Sequence, residues 1–159
     1  MDYKFKPIGI IKTPFRQKEG MPIQGSMFPE AKGIVEVKKE YAGGLLHIEG
    51  FSHLILLYAF HKSKGFNLQT KTFLDEEKHG VFATRAPRRP NPLGLTIVKL
   101  DKVKGNRLYV SGVDMLDKTP LLDIKPYMTP YDGRKNVKIG WLKTKIKKSK
   151  LSDKTFNEQ

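Results

Sequence analysis

The chain contains no cysteine among its 159 residues. That absence excludes disulfides, thiolate nucleophiles and cysteine-ligated zinc or iron–sulfur centres. Acidic residues are also scarce: 16 Asp+Glu stand against 30 Lys+Arg, a formal net charge of +14. No long apolar run is present. The most apolar stretch, Phe51 to Phe60, is too short to span a bilayer and is interrupted by Ser52 and His53. The N-terminal MDYKFKPIGIIKTPF lacks the apolar core and small-residue cleavage site of a signal peptide. The expectation is a cytoplasmic protein with no membrane partner. Two nucleotide-binding devices are missing too: no G-x-G-x-x-G follows a strand, and no G-x-x-x-x-G-K-[ST] occurs.

What is present suits one folded domain. Hydrophobic residues make up 38% of the chain, and its length is sufficient to bury a core. The charge is uneven: residues 1–80 carry net +3 and residues 81–159 net +11. Such a balance fits a polyanionic partner, or simply solubility. Helical periodicity is weak, and several short runs read as strands: Phe5–Ile11, Gly33–Val37, His53–Phe60, Gly80–Thr84, Leu95–Val103, Leu108–Val113 and Leu122–Tyr127. Between Leu95–Val103 and Leu108–Val113, Lys104-Gly105-Asn106-Arg107 supplies the positive φ of a tight hairpin. Tyr41–Glu49 reads as a short helix weakened by Gly43-Gly44. Many short strands without alternating long helices predict a mainly β fold, a small antiparallel β-barrel with short helical turns and not a Rossmann sheet. The barrel is assigned to residues 1–132 and a basic tail to 133–159. Between Gly133 and Lys150, Arg134, Lys135, Lys138, Lys143, Lys145, Lys147, Lys148 and Lys150 occur with no acidic residue, and Val137–Ile146 reads as a last strand or an amphipathic segment. Residues 151–159 read as a frayed end.

Chemistry concentrates in a few places. In Gly80–Gly94, three prolines (Pro87, Pro90, Pro92) stiffen a loop that carries Arg85, Arg88 and Arg89. Their planar donor forks suit carboxylates and phosphates, although a proline-rich connector with solvated arginines reads the same way. Gly112–Tyr127 holds Asp114, Asp117 and Asp123, each able to accept from a ligand or to order a turn. Phe51–Lys62 ends in His61 and Lys62. His53 and His61 share strand parity, but no third ligand has helpful spacing, so no metal site is expected. Pro22–Ser26 is a turn with amide and hydroxyl donors.

Four segments together resemble one family: PIGIIKTPF, EGFSHLILLYAFH, GVFATRAPRRPNPLGLT and DMLDKTPLLDIKPY. They are similar in order and spacing to the TsaA-like (TrmO-type) β-barrel tRNA methyltransferases, over roughly residues 5–131. The resemblance implies a homodimer that uses S-adenosyl-L-methionine (SAM) without a Rossmann fold. It implies methyl transfer to N6 of threonylcarbamoyladenosine at position 37, in the tRNA anticodon loop. The matching motifs place cofactor contacts at Gln24, Gly25, Ser26, His61, Lys62, Arg85, Leu95, Leu116, Asp117, Lys118 and Thr119. Arg88 and Arg89 are assigned to the acceptor's threonyl carboxylate, while His61 and Asp117 are the candidate bases. Lys118 stands where the family's motif has glycine. A non-catalytic RNA-binding barrel and a SAM-dependent methyltransferase with another acceptor are the alternative readings.

Overall fold

A computed structural model of the chain describes residues 1–145. Eight strands occur among them: β1 (Gly9–Lys12), β2 (Lys32–Val37), β3 (His53–Ala59), β4 (Gln69–Thr72), β5 (Asp75–Gly80), β6 (Leu93–Lys104), β7 (Arg107–Ser111) and β8 (Thr119–Pro126). Six of them close a barrel in the order β1-β2-β7-β6-β3-β8, and β4 and β5 form a separate two-stranded sheet. Every pairing is antiparallel. The expected small β-barrel is therefore the observed fold, and no Rossmann sheet is present among the described residues.

Period-two alternation builds the core. In β3, Leu54, Leu56 and Tyr58 point inward, while His53, Ile55, Leu57 and Ala59 turn outward. In β6, Gly94, Thr96 and Val98 point inward. Ile11, Val35, Val37, Leu108, Val110 and Leu121 fill the same interior. Burying a Leu or Ile side chain of this kind contributes about 1.5–3 kcal/mol. Gly94 leaves room for the Tyr58 ring: a Cβ there would lie 2.2 Å from ring carbon Cε2.

The topology sorts the connections by end. Registers Lys12↔Ile34, Lys32↔Ser111, Ala59↔Leu93 and Ile11↔Thr119 bring six strand termini to one mouth. Segments 13–31, 60–92 and 112–118 all open there. The opposite end holds the β6–β7 turn, where Gly105 supplies the positive φ of +59°. Asn106 caps that end by donating its side-chain amide to Val37 O at 2.6 Å.

Several local expectations need correction. The first strand begins at Gly9, not Phe5, although Ile8 N still donates to Leu121 O at 2.8 Å. Gly80–Thr84 is not a strand: β5 ends at Gly80, and Val81–Ala83 form a 3-10 turn with Val81 buried and Phe82 exposed. Tyr41–Glu49 is not one helix. Two 3-10 segments, Lys39–Leu45 and Ile48–Gly50, are separated by His47 at φ +66°. A one-turn helix α1 (Thr129–Asp132) precedes the tail, and within the tail Gly140–Thr144 is a 3-10 turn, not a last barrel strand. Trp141 stacks on His79 at 4.1 Å and donates Nε1–H to Ala83 O at 2.9 Å. Lys147, Lys148, Lys150 and the frayed end expected for 151–159 lie outside the described residues. In the β7–β8 connection, Lys118 adopts φ +62°, the left-handed region that favours glycine.

Two substitutions test these packing statements. Gly94→Ala drives a methyl into the Tyr58 ring and is expected to cost about 1–3 kcal/mol, read as a lower Tm by calorimetry. Lys118→Gly relieves a left-handed side-chain clash of about 1–2 kcal/mol, partly offset by glycine's extra freedom in the unfolded chain. It should raise Tm; an unchanged or lower Tm would remove the strain assigned to this turn.

Candidate functional site

The mouth is organised around a buried carboxylate. Asp114 follows β7 and is only 9% exposed. Its Oδ1 accepts from Thr96 Oγ1 at 2.5 Å and from the Tyr58 hydroxyl at 3.4 Å, both presented by the inward faces of barrel strands. Its Oδ2 accepts from Gly25 N at 2.8 Å and Gln24 Nε2 at 3.3 Å, both on the first mouth loop. Gln24 Oε1 in turn accepts from Arg85 Nη1 at 2.7 Å. Glycine is required at position 25, because a Cβ there would lie 1.8 Å from Gly112 O. Burial raises the Asp114 pKa to about 6, against the opposing pull of its donors and Arg85. Burial, then the Asp114 charge, pushes the Tyr58 phenol upward in the same way.

A second group sits where β3 ends and β8 begins. Thr119 Oγ1 donates to Leu116 O at 2.7 Å and lies 3.5 Å from His61 Nδ1. Burial, and then the neighbouring Lys62, lowers the His61 pKa, so the imidazole is neutral at neutral pH. Asp117 holds the turn: its Oδ1 accepts from Thr13 N at 3.0 Å, and its own N–H donates to Phe15 O at 2.7 Å. Thr13 Oγ1 ties the same segment to Met115 O at 2.9 Å. Lys62 Nζ reaches Arg16 O at 3.5 Å.

The arginine loop joins the mouth through Arg85. Arg89 Nη1 donates to Thr84 O at 3.0 Å and Ala86 O at 3.2 Å, which braces the loop from within. Arg88 donates Nε–H to Lys64 O at 3.2 Å. Lys18 lies close enough that Arg88, after burial, helps lower its pKa. The structure thus bonds Gln24, Gly25 and Arg85 into one network, with Ser26 following in the 3-10 turn Gly25–Met27. It brings His61, Leu116 and Thr119 together, with Lys118 between Asp117 and Thr119 in the connecting turn. It does not bring Leu95 to either group: that side chain faces outward and is 46% exposed, beside Leu93 at 45% and Ile97 at 37%.

Tyr58 and Thr96 belong to the network although neither stands out in the sequence. Their inward parity on adjacent strands was the available signal. Asp114 was passed over in favour of Asp117, and only its depth, invisible in sequence, marks it out. Asp75, Glu77 and His79 on β5 offer ligand atoms within 4.8 Å of one another. Two of them are otherwise engaged: His79 Nε2 lies 3.1 Å from Asp75 Oδ2, and Lys145 Nζ lies 3.6 Å from Asp75 Oδ1. No helix among the described residues is long and apolar enough to cross a membrane.

Comparisons with known proteins point the same way. The model of the tRNA-methyltransferase O N-terminal domain matches residues 10–133. A probable S-adenosyl-L-methionine-binding protein of Pyrococcus abyssi is 52% identical over 144 residues, covering 91% of this chain and 78% of that protein. The tRNA (adenine(37)-N6)-methyltransferase of Rattus norvegicus is 38% identical over 159 residues, covering 96% of this chain but 37% of the rat protein. The crystal structure of TrmO from Pseudomonas aeruginosa superposes with a TM-score of 0.75 at 36% identity, covering 89% of this chain and 63% of that one. The barrel, the mouth motifs and the family match agree, and the chain belongs to the tRNA-methyltransferase O N-terminal domain family.

Proposed function

We propose that this protein is a cytoplasmic SAM-dependent tRNA methyltransferase that converts N6-threonylcarbamoyladenosine at position 37, in the anticodon loop, to its N6-methyl form. One observation carries the reading: apart from outward-facing Leu95, the family's motif residues, scattered from Gln24 to Thr119, lie at one barrel mouth rich in hydrogen-bond donors. The donor set fits the cofactor. Arg85, exposed and oriented by Gln24, suits a carboxylate, and the Leu116–Thr119 turn with His61 offers hydroxyl, carbonyl and imidazole groups to a ribose and an amino group.

When bound, SAM supplies a methyl group on a sulfonium. The chain's part is to align the acceptor nitrogen, which supplies several kcal/mol of the barrier, and to accept its proton. Methylation of N6 would require that nitrogen to shed its proton. His61, its pKa lowered by partial desolvation and then by Lys62, is the group equipped to take it; Asp117 is committed to Thr13 N and the turn. General-base help of this kind contributes about 10²–10⁴-fold. Arg88 and Arg89, on the stiff loop, place the threonyl carboxylate, a group plain adenosine lacks.

The same reading includes a homodimer. Leu93, Leu95 and Ile97 form an outward apolar row on β6, beside outward Ile55 and Leu57 on the adjacent β3. An exposed row of this kind on a barrel wall fits an isologous interface.

Mass spectrometry of nucleosides from tRNA incubated with protein and SAM tests the activity. The expected product is threonylcarbamoyladenosine heavier by one methyl; unmodified tRNA incubated in the same way should gain none. His61→Gln should slow the reaction at saturating SAM by about 10²-fold or more. Wild-type rates from both Arg88→Ala and Arg89→Ala would eliminate the carboxylate contact. Light scattering after size exclusion tests the assembly: twice the 18.2 kDa chain mass is expected, and Leu95→Asp should return it to monomer.

A further inference from the structure

Asp114 is the most buried carboxylate of the mouth, and none of the groups assigned above to the reaction includes it. Each of its oxygens serves a different part of the protein. Oδ1 takes the hydroxyls of Thr96 and Tyr58, which belong to the rigid barrel wall. Oδ2 takes the backbone N–H of Gly25 and the side-chain amide of Gln24, which belong to the mouth loop. Gln24 is polarised by this arrangement: its amide nitrogen faces the carboxylate, so its carbonyl oxygen is turned toward Arg85. A chain of bonds therefore runs from the barrel interior, through one carboxylate and one carboxamide, to an exposed guanidinium.

We propose that Asp114 is the positioning residue of the cofactor site, clamping the Gln24–Gly25 loop to the barrel and, through Gln24, fixing the direction of Arg85. The proposal rests on the reading of the mouth as the SAM site. It assigns Asp114 no contact with cofactor or acceptor. Four donors and two oxygens match only while the group is a carboxylate. An amide at this position would turn an N–H₂ toward one pair of donors, so either the wall or the loop would lose its partner. The position also demands depth. A surface aspartate could hold the loop only loosely, whereas here the low-dielectric surroundings strengthen each bond to the charged form. Burial works against that charge and raises the carboxyl pKa to about 6, while the hydrogen bond from Tyr58 and the charge of Arg85 both pull it down. Near neutral pH the group is ionised and the clamp is complete.

The test uses the full chain and two readouts. In Asp114→Asn, amide hydrogen exchange should accelerate selectively in the peptide spanning residues 21–30, with peptides from β3 and β6 unchanged. In steady-state methylation of tRNA, KM for SAM should rise at least tenfold while kcat at saturating SAM stays within threefold. Uniform acceleration of exchange, or a fall in kcat with KM unchanged, would overturn the positioning role. Should Asp114→Asn fail to fold, Gln24→Leu cuts the same chain of bonds at its outer link. Gln24→Leu and Arg85→Ala should then raise KM non-additively, the double variant within twofold of the worse single; full additivity overturns the relay. Wild-type protein that binds no SAM by calorimetry would defeat the cofactor reading instead, and the exchange experiment would still decide whether Asp114 clamps the loop.

Discussion

The seam between β1 and β8 holds the rest of the molecule in place. Only three residue pairs register there, Gly9↔Leu121, Ile10↔Pro120 and Ile11↔Thr119, and Pro120 has no N–H to give. The Ile8 N–H to Leu121 O bond lengthens the seam by one step. Closing it removes the last open edges of the barrel sheet and lets thirteen buried side chains share one interior. It also joins residues far apart in sequence. Thr13 N and Asp117 Oδ1 meet across 104 positions, a contact that exists only because the first and last barrel strands are neighbours. Such closure has a high entropic cost and a slow formation rate compared with local pairing.

From that seam follows the division of the molecule into two unlike ends. One end holds the two-residue β6–β7 turn, capped by Asn106, and the 38–52 connection. The other collects segments 13–31, 60–92 and 112–118, and there the interior's apolar filling gives way to Tyr58, Thr96 and Asp114. Their donors and acceptors are all matched: no buried side-chain polar atom among the described residues lacks a partner. A polar network at this depth is tolerated because it is complete. Glycines make the completeness possible. Position 25 permits the loop backbone to approach Gly112, and position 94 admits the ring whose hydroxyl joins the network.

Much of this was legible in the sequence. The apolar runs His53–Phe60 and Leu95–Val103 mark two wall strands, but not their inward faces: on β6 Leu95 and Ile97 turn outward and Gly94, Thr96 and Val98 turn in. The Gly105-Asn106 turn is local chemistry and needs no tertiary knowledge. The β4–β5 sheet was not legible, because Asp75–Gly80 is polar on both faces and its partner Gln69–Thr72 is nearly so. Its reason for being a strand lies elsewhere in the chain, in Trp141 and Lys145. Gly80–Thr84 misled because Val81 and Phe82 have strand propensity, yet only Val81 finds a core to enter. For the site, the motif resemblance singles out Asp117 and passes over Asp114. One is a buried hub and the other a turn clasp, a difference created by which strand end each one meets. Lys118 was visible as a departure from a glycine, and the left-handed backbone explains why glycine suits that place.

The clasp of Trp141 over the β4–β5 sheet has a consequence for synthesis. Translation delivers the chain from its N-terminus, and folding of completed units can proceed as they emerge. The barrel has all its strands once Pro126 is made. The hairpin has both its strands much earlier, yet it lacks the ring that covers His79 and the ammonium that meets Asp75 until residues 141 and 145 follow. The arginine loop, hung between hairpin and barrel, is therefore anchored on one side before the other. The loop's second anchor, the Trp141 N–H on Ala83 O, is thus the last to be made, and it comes from a residue that belongs to neither hairpin nor barrel.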